Sequence, residues 1–177
     1  MTRPARIAIL TVSDRAFRGE YEDRGGPAVE TWLRSVITTP LEILRRITPD
    51  GRAEVAAEMV DLTDSWRADL ILATGGTGPS PRDQTPEAMD DVIGMKLPGF
   101  GEAMRAANGK VVATAILSRQ SAGLRGKCLI ITLPGSPNAI ATSLEAVFAA
   151  VPYCLDLIGA GWIETDPTLI KAHRPKT

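Results

Sequence analysis

The chain is predicted to fold as an α/β protein, a three-layer αβα sandwich whose mainly parallel sheet carries helices on both faces. Three observations predict it. Short apolar, β-rich runs alternate with amphipathic helical segments from one end to the other, the order that builds βαβ units. The run Ala68–Thr74 is apolar on both faces apart from Asp69, as in a buried parallel strand. Glycine-rich or charged turns follow the strand runs, where open α/β sheets bind ligands.

The elements follow in order. Strands are expected at Arg6–Val12, Leu41–Ile47, Asp69–Thr74 and Cys128–Leu133, with a weaker piece at Ala122–Leu124. A first helix begins near Pro27, a favoured first-turn residue, and buries Val29, Trp32, Leu33 and Val36 at helical spacing. A second, from about Arg52, puts Val55, Met59, Leu62 and Trp66 on one stripe. A third starts with Thr85 as cap and Pro86 in its first turn. The last long helix takes Ser136 as cap and buries Ile140, Leu144, Val147 and Val151; Pro152 should kink it. Between them, 99–120 breaks the rhythm with two short helical pieces and the basic residues Arg105, Lys110 and Arg119, and is expected to cover the site.

At 177 residues, one domain is expected over residues 1–162, with residues 163–177 a polar tail along its surface. A net charge of −1 lacks the basic excess of nucleic-acid or acidic-membrane binders, so neither partner is expected. The first apolar run, Ile7–Val12, is too short for a signal peptide or a membrane span. Cys128 and Cys154 sit in apolar surroundings, as buried reduced thiols do, and the expected location is the cytoplasm. The single histidine, His173, lies near the carboxyl end, so acid–base work falls to carboxylates.

The decisive run is Leu70-Ile-Leu-Ala-Thr-Gly-Gly-Thr-Gly-Pro79. Gly75, Gly76 and Gly78 let backbone N–H groups converge, since no Cβ blocks close approach, and Thr74 and Thr77 add hydroxyls. A Cβ at Gly76 is expected to intrude where a phosphate meets the backbone. This is an anion-binding loop, but neither a P-loop, since no lysine precedes Lys96, nor the Gly-x-Gly-x-x-Gly fingerprint. Arg82 and Asp83 follow beside it. A carboxylate next to a phosphate repels it unless a cation intervenes, so Asp83 reads as a Mg²⁺ ligand, against a plain helix cap. Pro134-Gly135-Ser136 is a second glycine turn leading into a helix, and the pair implies a ligand with two separated phosphate groups. Ser13, at a strand end, is placed as a donor. Asp14 and Arg15 either pair with each other or face the site, and Asp50 either starts a turn or belongs to the pocket.

Gly-Gly-Thr-Gly followed by Arg-Asp-x-Thr-Pro-Glu-Ala resembles the molybdopterin adenylyltransferase family, which includes the MogA and MoaB proteins and the gephyrin G domain. The likeness extends to Val12-Ser-Asp-Arg15, Thr48-Pro-Asp50, Leu97-Pro-Gly-Phe-Gly-Glu102, Ala115-Ile-Leu-Ser-Arg119, Leu133-Pro-Gly-Ser-Pro137, and the ending Val151-Pro-Tyr-Cys154 with Arg174-Pro-Lys176. It covers nearly the whole chain. Some bacterial relatives carry an extra loop where this chain reads straight through Leu144–Phe148. The resemblance implies transfer of AMP from ATP to the molybdopterin phosphate, with pyrophosphate released, in molybdenum cofactor biosynthesis. It implies catalytic roles for Asp50 and Asp83, both as Mg²⁺ ligands. Substrate binding falls to Ser13, Thr74, Gly75, Gly76, Thr77, Gly78, Arg82, Thr85, Ser118, Arg119, Pro134, Gly135 and Ser136. It also implies a homotrimer and a partner protein that inserts molybdenum. Two other readings share these motifs: a CinA-like nucleotide hydrolase, and a non-catalytic molybdopterin-binding scaffold.

Overall fold

The computed structural model describes residues 3–175; Met1, Thr2, Thr177 and Lys176 of the terminal Arg-Pro-Lys motif lie outside the described residues. In chain order the elements are β1 (Ala5–Val12), α1 (Asp14–Phe17), α2 (Gly25–Val36), β2 (Leu41–Thr48), α3 (Arg52–Asp64), β3 (Leu70–Thr74), α4 (Thr85–Val92), β4 (Met95–Lys96), α5 (Pro98–Gly109), β5 (Ala122–Arg125), β6 (Cys128–Leu133), α6 (Pro137–Val147) and α7 (Val151–Ile158). Short 3₁₀ turns at Ala113–Leu117 and Phe148–Ala150 complete them.

One mixed sheet runs in the order β2-β1-β3-β6-β5-β4. The first four strands are parallel. β5 turns back on β6, and β4 on β5, both antiparallel. A two-residue turn with Gly126 at φ +55° makes the first reversal possible. Every residue of β3 and β6 is buried, as a central parallel strand covered on both faces requires.

Side-chain alternation sorts the strands onto two cores. Ile7, Ile9, Leu70, Leu72, Leu129 and Ile131 pack with Val29 and Leu33 of α2, Met104 of α5 and Ile140 and Leu144 of α6. Ala8, Leu10, Ile71, Ala73 and Ile130 face Val55, Met59 and Leu62 of α3 and Ala88, Met89 and Val92 of α4. Helices therefore cover both faces of the sheet, giving three layers. The run Pro137–Ile158 is long and apolar enough to cross a membrane by composition alone, but its Ile140, Leu144, Phe148, Val151 and Leu155 are fully buried core residues.

Four details depart from the sequence reading. α3 ends at Asp64, so Trp66 packs from beyond the helix, with the Arg6 guanidinium 5.7 Å from its ring centre. α2 starts at Gly25, two residues before Pro27. Thr85 is the first residue of α4 and Gln84 precedes it as cap. The kink expected at Pro152 is present one turn earlier, as a break at Phe148–Ala150. Proline lacks the N–H that would bond the carbonyl of Phe148, and its ring crowds that carbonyl. The segment after Trp162 lies against the body, where Thr165 bridges Ile37 and Arg174 bonds Asp156 and the carbonyl of Ile163.

Candidate active site

β2 and β3 flank β1 on opposite sides, so the chain leaves the carboxyl end of β1 one way and that of β3 the other. Such a switch point opens a crevice between the two strand ends. Ser13 stands at its lip. Its N–H bonds the carbonyl of Thr48 at 3.0 Å, and its hydroxyl caps α1 by accepting the N–H of Ala16 at 3.2 Å.

The two glycine turns are locked to each other. Thr74 Oγ1 donates to the carbonyl of Pro134 at 2.7 Å, and the N–H of Gly75 donates to that of Leu133 at 3.2 Å. Thr85 clamps the loop from the other end: its N–H bonds the carbonyl of Gly76 at 3.0 Å and its hydroxyl that of Gly75 at 2.9 Å. Gly75 and Gly76 have φ of +100° and +64°, a region that side chains enter only with strain. Among the described residues the N–H groups of Gly76, Thr77, Gly78, Gly135 and Ser136 donate to no protein atom. These unpaired donors are what an anion-binding turn needs.

The expectation for Gly76 is corrected. A Cβ there would strike Thr85 Oγ1 and approach Val12 Cγ1 at 3.2 Å, so it points into the protein. A Cβ at Gly75 would strike the carbonyl oxygen of Val12. Gly135 is the glycine that faces open space, with only the Cα of Gly75 nearby, at 3.7 Å.

Asp14 pairs with Arg82 and not with Arg15. The Arg82 guanidinium contacts both carboxylate oxygens at 2.8–3.1 Å and also donates to the carbonyl of Asp50 at 2.8 Å. Asp50 Oδ2 accepts the N–H of Asp14 at 2.8 Å, and Asp14 Oδ1 accepts that of Asp50 at 3.1 Å. Asp50 is thereby held at the site and does more than open a turn. Asp83 does not cap α4; its Oδ2 accepts the N–H of Ser80 at 3.3 Å. Among the described residues Oδ1 of Asp50 and Oδ1 of Asp83 accept no hydrogen bond, and no cluster of three or more acidic, histidine or cysteine side chains could cage an ion. Each carboxylate thus keeps one free oxygen, the hard donor that Mg²⁺ takes alongside phosphate and water.

Arg119 is engaged as a brace behind the loop. It donates to the carbonyl of Gly78 at 2.9 and 3.1 Å and to that of Asp83 at 2.5 Å, and it pairs with Glu87. Its own N–H bonds the carbonyl of Thr77 at 2.8 Å, and the Ser118 and Thr77 hydroxyls lie 3.4 Å apart. The sequence reading missed Tyr21, Asp23, Arg24 and Gly25, which line a crevice of about 140 Å³ together with Ser13, Thr74, Gly75 and Gly135. Asp23 accepts from Thr11 Oγ1 at 2.9 Å and from the N–H of Gly26 at 3.0 Å. A Cβ on Gly26 would fall 2.5 Å from Asp23 Oδ2. The one sequence signal was Gly25-Gly26 directly before Pro27. Asp23 and Arg24 also border a wider depression of about 610 Å³ between α2 and α6.

Comparison with known proteins gives a consistent picture. Residues 8–153 match the family described as a probable molybdopterin binding domain. The molybdopterin adenylyltransferase of Helicobacter pylori is 48% identical over 170 residues, which cover 96% of this chain and 97% of that protein. That of Escherichia coli K12 is 44% identical over 184 residues, covering 97% and 94% respectively. The crystal structure of the molybdopterin biosynthesis enzyme MoaB from Thermus thermophilus superposes with a TM-score of 0.81 at 40% identity, over 92% of this chain and 99% of that one.

Proposed function

We propose a function for this chain from one premise: it belongs to the molybdopterin-binding domain family. On that premise it is a molybdopterin adenylyltransferase, moving AMP from ATP to the molybdopterin phosphate. An oxygen of the pterin phosphate attacks the α-phosphorus, the Pα–O–Pβ bond breaks, and pyrophosphate leaves with the bonding pair. A phosphate nucleophile is already ionised near neutral pH, which fits a site with no histidine. The demand is to align two polyanions and offset their charge.

The observation that carries this reading is the pair of glycine turns, tied together through Thr74–Pro134 and Gly75–Leu133 and presenting unpaired N–H groups on one sheet edge. Gly76, Thr77 and Gly78 hold one phosphate and Gly135 and Ser136 another, with Pro134 positioning its turn through Thr74; Thr85, Ser118 and Arg119 fix the loop's shape, and Ser13 and Arg82 border the site. Asp50 and Asp83 would hold Mg²⁺, which would supply charge to screen the phosphates. Residues up to 162 make the binding domain, and the described part of the segment that follows, to Pro175, lies against its surface, anchored by the buried Ile163. The protein works in the cytoplasm as a homotrimer. Val111, Val112, Ile116 and Leu117, exposed by 76, 48, 81 and 52%, support assembly, being an apolar stretch that water does not favour. The adenylylated product then passes to a protein that inserts molybdenum. Pyrophosphate release from ATP tests the reading: it should require both molybdopterin and Mg²⁺. Release without pterin would favour a hydrolase, and tight pterin binding with no ATP turnover a scaffold.

A further inference from the structure

The arginines around the site divide into two kinds. Arg82 and Arg119 are bound to Asp14 and Glu87, and the neighbouring Arg18 to Glu20. Arg15 and Arg24 form no ion pair among the described residues. Both guanidiniums instead gather at the ring of Tyr21, with Arg15 Cζ 4.9 Å and Arg24 Cζ 5.9 Å from its centre. The ring face attracts each cation, but two like charges on one ring repel each other, and the nearby carboxylates are engaged elsewhere, Glu20 with Arg18 and Asp23 with Thr11 and the N–H of Gly26. Tyr21 and Arg24 line the 140 Å³ crevice that also contains Thr74, Gly75 and Gly135. That is room for several water molecules, the scale of a pair of phosphate groups.

We infer that Arg15 and Arg24, gathered on Tyr21, are the binding residues for the terminal diphosphate of the nucleotide, the part that leaves as pyrophosphate. The assignment rests on the adenylyl-transfer reading and adds its leaving-group subsite. One unpaired cation lining the crevice and a second held next to it on Tyr21 match a diphosphate, whose charge is spread over two groups; a phosphate monoester would meet one of them. Asp50 meets Arg82 and Asp14 at the end of β1, and Asp83 follows Arg82; in this assignment these carboxylates, and the metal they would hold, serve the α-phosphate while the arginines take the departing end. The arginines thus make the site select a triphosphate over AMP.

Inorganic pyrophosphate with Mg²⁺ is the direct probe, titrated calorimetrically into the full chain. Arg15→Ala and Arg24→Ala should each weaken it about tenfold, and the double variant by about thirtyfold or more, because a charge-assisted hydrogen bond is lost with each. Arg24→Lys should recover part of the loss. Arg18→Ala, which removes an exposed and already paired arginine nearby, should bind as wild type does. All three arginines are exposed, so thermal melting should be unchanged and loss of folding is not in question. AMP and a pterin phosphate monoester should bind the double variant within twofold of wild type. A double variant that binds pyrophosphate within threefold of wild type overturns the inference, as does an equal loss of affinity for the monoesters. Adenylyl transfer by the wild-type chain, measured alongside, separates the two ideas: transfer with unchanged pyrophosphate binding defeats the subsite alone.

Discussion

Asp14 and Asp50 hold each other by crossed hydrogen bonds: the carboxylate of each accepts the backbone N–H of the other, at 2.8 and 3.1 Å. The ends of β1 and β2 are joined in this way, and Asp50 still has Oδ1 free. Asp50→Asn keeps an oxygen that can accept the N–H of Asp14 but loses the charge. Its melting temperature should stay within a few degrees of wild type while turnover falls about a hundredfold or more. Near-normal turnover in that variant would reduce Asp50 to a structural link.

Asp83 has no cap to hold, since Gln84 precedes α4 and the Asp83 carboxylate accepts only the N–H of Ser80. Asp83→Asn retains that acceptor. It should abolish Mg²⁺-dependent turnover and leave molybdopterin affinity within a few-fold of wild type, by titration of the pterin alone. Normal activity across a range of Mg²⁺ concentrations would take Asp83 out of the metal site.

The two glycine turns should respond differently to added side chains. Gly76→Ala meets Thr85 Oγ1 at a backbone φ of +64°, so it should destabilise the fold by at least the 1–2 kcal/mol of left-handed strain, roughly 2–8 °C of melting temperature. Gly135→Val meets open space; it should melt like wild type and lose ligand affinity. Calorimetric scanning of both variants with a nucleotide titration decides it. A destabilised Gly135→Val that binds normally would contradict the assignment.

Alkali should weaken the fold through Cys128. Burial pushes this thiol from 9.0 up to about 12, so the native state keeps its proton after the unfolded chain begins to lose it. Stability from the neutral thiol is complete below about pH 9 and declines from there toward pH 12, by up to about 1.4 kcal/mol per pH unit. Urea unfolding at pH 8 and pH 10 should show wild type losing about 1 kcal/mol more than Cys128→Ala. Equal losses would place the thiol in contact with water.

The four long strands were legible because β1, β3 and β6 are buried along nearly their whole length and need unbroken apolar runs. β4 has two residues and both are exposed, so no period could reveal it. The glycine turns were legible as local sequence, but the directions of the missing Cβ atoms at Gly76 and Gly75 depend on Thr85 and Val12, nine and sixty-three positions away. For the same reason the sequence left open whether Asp14 pairs with its neighbour Arg15 or faces the site, whereas the fold brings it Arg82, 68 residues on. Asp23 stayed hidden because its partners, Thr11 and Gly26, meet only when α2 docks on β1.

The most direct measurement follows the label from ATP carrying radioactive α-phosphorus, incubated with the full chain, molybdopterin and Mg²⁺. The account predicts label on the pterin phosphate, one pyrophosphate released for each label transferred, and no transfer by Asp83→Asn. Label appearing as free AMP at the same rate with and without molybdopterin, or remaining in ATP while the pterin is tightly bound, would contradict it.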